Sequence, residues 1–302
     1  SLVGSEMCIR DRRDMTEKRP AVSFEVFPAR TPKGEAALDR ALQQLSKLRP
    51  GYLSVTYGAD GSGQERSVHL IERLSGKKEF RIAAHLTCVG ATRAQIDELA
   101  RRWSELGVRR VVALRGDVPG GGPWLPQADG YQNAADLVAG LRRVADFNIA
   151  VAGYPEVHPD SPSVEADIEN LKRKQDAGAS VIITQYCFDN EPFLRFRERA
   201  VAAGITIPIV PGVLPVTNFA KVVEFSRKCG ATVPAWLAEQ FDGLDDDPET
   251  RAMVAASVAV DQCKALRAEG FDRFHFYTLN RAAVTHAICR RLGIHPGVAE
   301  AA

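Results

Sequence analysis

The sequence predicts a (β/α)8 barrel, an α/β fold, from three observations. Short β-rich runs recur eight times, amphipathic helical stretches separate most of them, and their spacing of roughly 30 residues sums to a barrel of about 250. Alternation of strand and helix demands a parallel sheet, because parallel neighbours need a crossover connection. An open doubly wound sheet is the alternative arrangement of the same pattern.

The first strand, 22–27, reads VSFEVF and is followed by a helical stretch at 35–48. The second, 52–56, reads YLSVT, and the third, 81–86, reads RIAAHL before a helix at 93–106. RRVVAL at 109–114 and IAVAG at 149–153 are the fourth and fifth, the latter leading to a helix at 164–177. VIITQ at 181–185, IPIV at 207–210 and FHFY at 274–277 complete the set. The longer gap between strands 7 and 8 holds extra helices, including one at 248–269. No repeat, low-complexity tract or linker divides the chain.

Composition narrows the function classes. Lys plus Arg number 39 against 38 Asp plus Glu, a net charge of +1, so nothing draws the chain as a whole to nucleic acid or a membrane surface. With 45% hydrophobic and 25% charged residues, the chain is expected to fold and not to be disordered. No apolar run reaches the roughly 18 residues of a membrane helix. The six cysteines have no CxxC spacing, which argues against a zinc site or a disulfide framework and fits a reducing cytoplasm. Residues 1–14 match neither a signal peptide nor the pattern that follows. They are read as a non-native or disordered extension, with Met15 a start and 15–302 the barrel.

In such barrels the chemistry sits at the C-terminal ends of the strands. Glu25, Thr56, His85, Arg115 to Asp117, Tyr154 to His158 and Gln185 are all expected there. Glu25 between Phe24 and Phe27 is either a desolvated general acid with a raised pKa or a strand-end carboxylate facing water or an Arg. LRGD sets Arg115 and Asp117 about Gly116, for gripping a phosphate and stabilising a cation, or simply forms a surface turn. At about 100° per residue, Asp167, Asn170, Arg173 and Lys174 fall within an arc of roughly 120°, which suits a nucleotide or a solvated helix face. GxGxxG, GxxxxGK[ST], GxSxG and HExxH are absent, and His85 and His158 lack partners at metal-ligand spacing, so no metal is expected.

Together the segments SFEVFP, SVTYGA, LRGD, GYPEVHP, DIENLKRK, TQYCFD, PGVLPVTNF, FDGLDDDPETR and HFYTLNRA resemble the methylenetetrahydrofolate reductase family from about residue 22 to 294. The resemblance implies an FAD-containing barrel in which a reduced nicotinamide nucleotide, NADH or NADPH, reduces 5,10-methylenetetrahydrofolate to 5-methyltetrahydrofolate. Hydride would pass through FAD by ping-pong kinetics, in one-carbon metabolism that supplies methionine. Glu25 matches the family's general acid and Asp117 the carboxylate that stabilises a 5-iminium cation. Gln185, Arg281 and, less securely matched, Lys221 correspond to the folate site. Matching the FAD site are Tyr57, Ala59, His85, Arg115, Gly116, Asp117, Ala134, Tyr154, His158, Asp167, Asn170, Arg173 and Lys174, with Thr56 at the nicotinamide contact. Asn133 stands where relatives carry an aromatic.

Composition and cysteine usage point to a cytoplasmic chain with no nucleic-acid or membrane partner, and the common assembly of barrels through their outer helices to a homo-oligomer; because the chain stops soon after the eighth unit, inhibition by S-adenosylmethionine is not expected. Two other classes compete. A proline dehydrogenase-like FAD barrel explains the nucleotide cluster but not Glu25 with Gln185 and TLNRA. A non-enzymatic flavin or folate carrier has no use for a protonated Glu25.

Overall fold

A computed structural model describes residues 19–58, 63–77, 79–118, 122 and 124–297; residues 1–14 and Ala59 therefore lie outside the described residues. Eight parallel strands close in chain order: β1 (Ala21–Val26), β2 (Leu53–Val55), β3 (Ile82–Thr87), β4 (Arg110–Leu114), β5 (Asn148–Gly153), β6 (Val181–Tyr186), β7 (Ile209–Val213) and β8 (Arg273–Tyr277). The seam pairs β1 with β8, placing Ser23 opposite His275 and Glu25 opposite Tyr277. Closure rules out the open doubly wound sheet.

The helices are α1 (Pro32–Ser46), α2 (Gln64–Ser75), α3 (Arg93–Glu105), α4 (Ala134–Val144), α5 (Val164–Asp176), α6 (Glu191–Ala202), α7 (Phe219–Cys229), α8 (Ala235–Phe241), α9 (Pro248–Ala268) and α10 (Ala282–Arg291). Helices α8 and α9 are the expected additions between strands 7 and 8. Strand β7 begins two residues later than its sequence pattern suggests. Pro208 has no amide hydrogen for the ladder and contributes only its carbonyl, which accepts from Ile182 N at 2.8 Å.

Side chains alternate across each strand. One phase, including Phe24, Leu53, Ile149, Phe274 and Phe276, is buried in the main core with Trp103, Phe147 and Phe193 from beyond the strands. The other phase fills the barrel interior, and it is divided. Ala83, Val112, Ala150 and Ile183 form a small apolar cluster from β3 to β6. Across from it, β1, β2, β3 and β8 contribute the buried polar groups Ser23, Ser54, His85 and His275. The barrel thus has a dry half and a polar half, and Glu25 lies in the second.

Candidate active site

A cleft of about 620 Å³ opens where β4 and β5 end and where α4 and α5 begin. Ten of the residues expected at a nucleotide line it: Arg115, Gly116, Asp117, Ala134, Tyr154, His158, Asp167, Asn170, Arg173 and Lys174. The four-residue arc read from the helical period therefore does face one cavity. Two helix N-termini at its edge, capped by Asn133 and Ser163, add amide groups and dipoles that favour an anion. Asn133 Oδ1 accepts from Asp136 N at 3.0 Å, so this residue serves as the N-cap of α4.

Lys174 is the principal cation of the cleft. Its ammonium is buried, donates to Ala152 O at 3.0 Å, and is pushed down to about 8 by burial, with Asp167 opposing and Arg115 and Arg173 reinforcing. A buried cation whose hydrogen-bond partner among the described residues is a neutral carbonyl is matched to an incoming negative charge. Arg115 is more committed than its sequence suggests. It donates to Asp160 at 2.6 Å and lies 5.5 Å from the Trp124 ring centroid. Asp167 accepts from His158 N at 3.2 Å, and Tyr154 packs edge-on to His158 at 4.5 Å. Burial and then the Arg115 charge lower His158, leaving it a neutral hydrogen-bonding group.

Gly116 adopts φ 85°, a left-handed conformation that explains the glycine of LRGD independently of any ligand. Val157, β-branched at φ 83°, is strained in GYPEVHP, and Thr232 N donates to Glu156 at 3.0 Å to brace that loop. Asp117 stands exposed on the cleft wall, and its charge helps burial raise the Tyr154 hydroxyl.

Glu25 occupies a separate position, inside the polar half of the barrel. Its Oε2 lies 3.4 Å from His85 Nε2 and 3.7 Å from His275 Nε2. The expected desolvation by flanking phenylalanines does not arise in that form. Phe24 points into the outer core, and Phe27, beyond the strand end, is exposed. Burial does act to raise the carboxyl, but the His275 contact and the charges of both imidazoles outweigh it and leave Glu25 below its ordinary value. The resting group is therefore a carboxylate beside two imidazoles, which corrects the expectation of a raised pKa. His85, expected at the cofactor, instead faces Glu25, and its Nε2 has no hydrogen-bond partner among the described residues.

The remaining expected site residues are dispersed. Thr56 and Tyr57 follow β2 and do not line the cleft. Gln185, two residues beyond Ile183 on the same face of β6, accepts from Tyr186 N at 3.0 Å. Lys221 is exposed on the first turn of α7. Arg281 is exposed and lines a different cleft, beside Arg40, Gln44 and Arg251. TLNRA also has a structural duty. Thr278 Oγ1 donates to Glu25 O at 2.6 Å, and Asn280 exchanges bonds of 2.8 and 3.1 Å with Phe27, fastening β1 to β8.

Sequence reading missed Trp124, Asp160, Ser23 and His275. The last two carried a usable signal: in AVSFEV and RFHFY the polar residues fall on one phase of alternation, with aromatics or aliphatics on the other. Among the described residues there is no metal-binding cluster of His, Cys, Asp or Glu, and no helix long and apolar enough to cross a membrane.

A family model described as methylenetetrahydrofolate reductase matches residues 9–293. A 5,10-methylenetetrahydrofolate reductase of Pectobacterium carotovorum is 50% identical over 280 residues, covering 92% of each chain. That of Escherichia coli K12 is 48% identical over 277 residues, again covering 92% of each. Among solved structures, a Clostridium thermocellum protein that binds two copies of 5-methyl-5,6,7,8-tetrahydrofolic acid superposes with a TM-score of 0.64 over 94% of this chain and 98% of that one. At 14% identity, this last likeness speaks for the fold alone.

Proposed function

The chain belongs to the methylenetetrahydrofolate reductase family, and from that premise we propose that it reduces 5,10-methylenetetrahydrofolate to 5-methyltetrahydrofolate at the expense of NADH or NADPH, with FAD as its cofactor. The observation that carries this reading is the pairing of two sites at one end of the barrel. One is a cationic cleft at two helix N-termini; the other is a carboxylate inside the barrel mouth with imidazoles for neighbours.

The cleft fits FAD in its chemistry. Lys174, Arg173 and the α4 and α5 amides would hold the diphosphate, Asp167 and Asn170 would accept and donate to ribose hydroxyls, and Tyr154 would flank a ring. When bound, FAD supplies hydride transfer between the nucleotide and the folate. The chain's own task is to position, to shield and to move a proton. Glu25 would protonate N10 of the folate, which opens the imidazolidine ring and leaves a cationic 5-iminium group. Asp117 would stabilise that cation through its negative charge. By the family resemblance, Gln185 would hold the pterin edge, and Lys221 and Arg281 would meet the remainder of the folate.

Because the resting Glu25 is ionised, it must take up a proton before it can act as the acid, with the His85 and His275 imidazoles 3.4 and 3.7 Å from its Oε2. The test is an anaerobic mixing experiment on FAD-loaded protein. The reading requires the oxidised-flavin absorbance to bleach with NADH or NADPH and then return on addition of methylenetetrahydrofolate. Bleaching with no return would leave a flavin oxidoreductase of another substrate, and no flavin binding would remove the reading altogether.

A further inference from the structure

A second cavity, at the opposite end of the barrel from the FAD cleft, has no part in the proposed reaction. It measures about 410 Å³ and is formed where the strands begin, from Ala21 on β1 round to Phe274 on β8. In this fold that end ordinarily serves stability alone. A stabilising floor is expected to be apolar or to pair its charges, and this one collects charges of one sign.

Three arginines enter it from three strands at one level. Arg81 lies two residues before Ala83, Arg110 two before Val112 and Arg273 two before His275, so all three share the inward phase of the alternation. Arg19 joins them on the wall, and Asp272 is the one carboxylate among the described lining residues. Asp272 stands 3.7 Å from Arg273. Among the described residues, neither Arg81 nor Arg110 has a carboxylate partner. Arg110 instead lies 5.9 Å from the Tyr52 ring centroid, and Tyr52 packs on the apolar cluster of the barrel interior, which gives the guanidinium a fixed platform. Burial raises the Tyr52 hydroxyl, while the charges of Arg110 and Arg273 both act against that rise, so the two guanidiniums converge on one point.

In a chain of net charge +1 this is a local excess that the fold holds against its own repulsion. Concave walls focus such a field on whatever enters. The neutral lining adds donors. Asn148 pairs with Arg110 in the sheet register, and Ser180 Oγ accepts from Arg142 at 3.1 Å and from Ile149 N at 3.3 Å, which leaves its own proton to donate. Val181, Val210 and Phe274 complete the wall with apolar surface that suits a short carbon skeleton. The volume falls within the roughly 300–1,000 Å³ of small-molecule sites.

We propose that the floor of the barrel is a second ligand site, which binds a small organic anion carrying two or more negative charges on phosphate or carboxylate groups, with Arg81 and Arg110 as its principal contacts. Guanidinium forks match either group in a bidentate manner. The site stands apart from the reading of the FAD cleft and of Glu25. The interior layer of Ala83, Val112, Ala150 and Ile183 lies between it and the catalytic end, so its occupant does not compete with FAD.

Isothermal titration calorimetry of the FAD-loaded protein tests the inference, with pyrophosphate and citrate as probes in about 0.15 M salt. At least one probe should bind with a dissociation constant of about 1 mM or tighter, and the tighter of the two identifies the charged group that the site prefers. Arg81→Gln and Arg110→Gln should each weaken binding by about 10-fold or more, as for other lost charge-assisted bonds. Arg110→Lys should recover only part of that loss, because a point charge replaces a planar fork. Arg81 is exposed, so its variant should fold as wild type does. The bound probe should raise the melting temperature of wild type and leave that of Arg81→Gln where it was. Binding of neither probe at this salt, undiminished binding by both glutamine variants, or displacement of the probe by added FAD would overturn the inference.

Discussion

Replacing Lys174 with Met removes a buried cation whose cost to the folded protein the diphosphate of FAD is proposed to offset. Pushing the ammonium from its ordinary 10.5 down to about 8 costs the folded apoprotein about 3 kcal/mol, at 1.36 kcal/mol per pH unit. The sign follows from the depressed value. Below pH 8 the folded and unfolded chains both carry the charge and the full cost applies; between pH 8 and 10.5 the folded chain sheds its proton first and the cost disappears. Met fills the same space but forfeits the bond to Ala152 O, worth about 1 kcal/mol. The apo variant should therefore be more stable than wild type by about 2 kcal/mol at pH 7, and this advantage should shrink at higher pH. FAD binding should show the opposite effect, weakened by about 1.5–3 kcal/mol, or about 10- to 150-fold, because a charge-assisted bond to phosphate is lost. In wild type the FAD dissociation constant should be level below pH 8 and rise by up to about tenfold per unit above it, a dependence absent from the variant. Urea unfolding of the two apoproteins and fluorescence titration with FAD from pH 6.5 to 9.5 measure both halves. If the Met variant is less stable and binds FAD as wild type does, Lys174 is only an anchor between α5 and β5.

Other substitutions probe separate parts of the account. Asp117→Asn should slow the folate half-reaction more than the nucleotide half-reaction in stopped-flow traces, because it removes the charge proposed to stabilise the iminium cation. Asn133→Ala should lower apoprotein stability by about 1 kcal/mol through loss of the α4 cap, read by urea unfolding, and weaken FAD binding only modestly. Gly212→Ala would set a methyl group against Thr184 O and the Tyr277 ring at 2.6 Å, where β7 meets its neighbours. It should cost about 1–3 kcal/mol in thermal or urea unfolding and disturb the barrel interior beside Glu25.

The barrel was legible because its period is local. Strand and helix alternate in the sequence itself, and the helical arc of Asp167, Asn170, Arg173 and Lys174 needed only the 3.6-residue repeat to be placed on one cavity. The environment of Glu25 was not legible for the opposite reason. Its neighbours in the chain are apolar, Phe24 and Val26, whereas those in space come from β3 and β8, 60 and 250 residues away, and only closure of the barrel brings the two imidazoles to it. Arg115 illustrates the same limit, since its partner Asp160 lies across a strand and a helix. Asn133 and TLNRA show that a residue placed by resemblance can have a structural duty that spacing does not disclose, the one capping α4 and the other fastening the barrel seam.

A single-turnover experiment on Glu25→Gln tests the central claim most directly. Flavin reduction by the nucleotide should stay close to the wild-type rate, while its reoxidation by methylenetetrahydrofolate should fall by about 10²-fold or more, the range for a lost general acid. Equal losses in the two half-reactions, or reoxidation at the wild-type rate, would contradict the assignment of the Glu25 carboxyl as the proton donor.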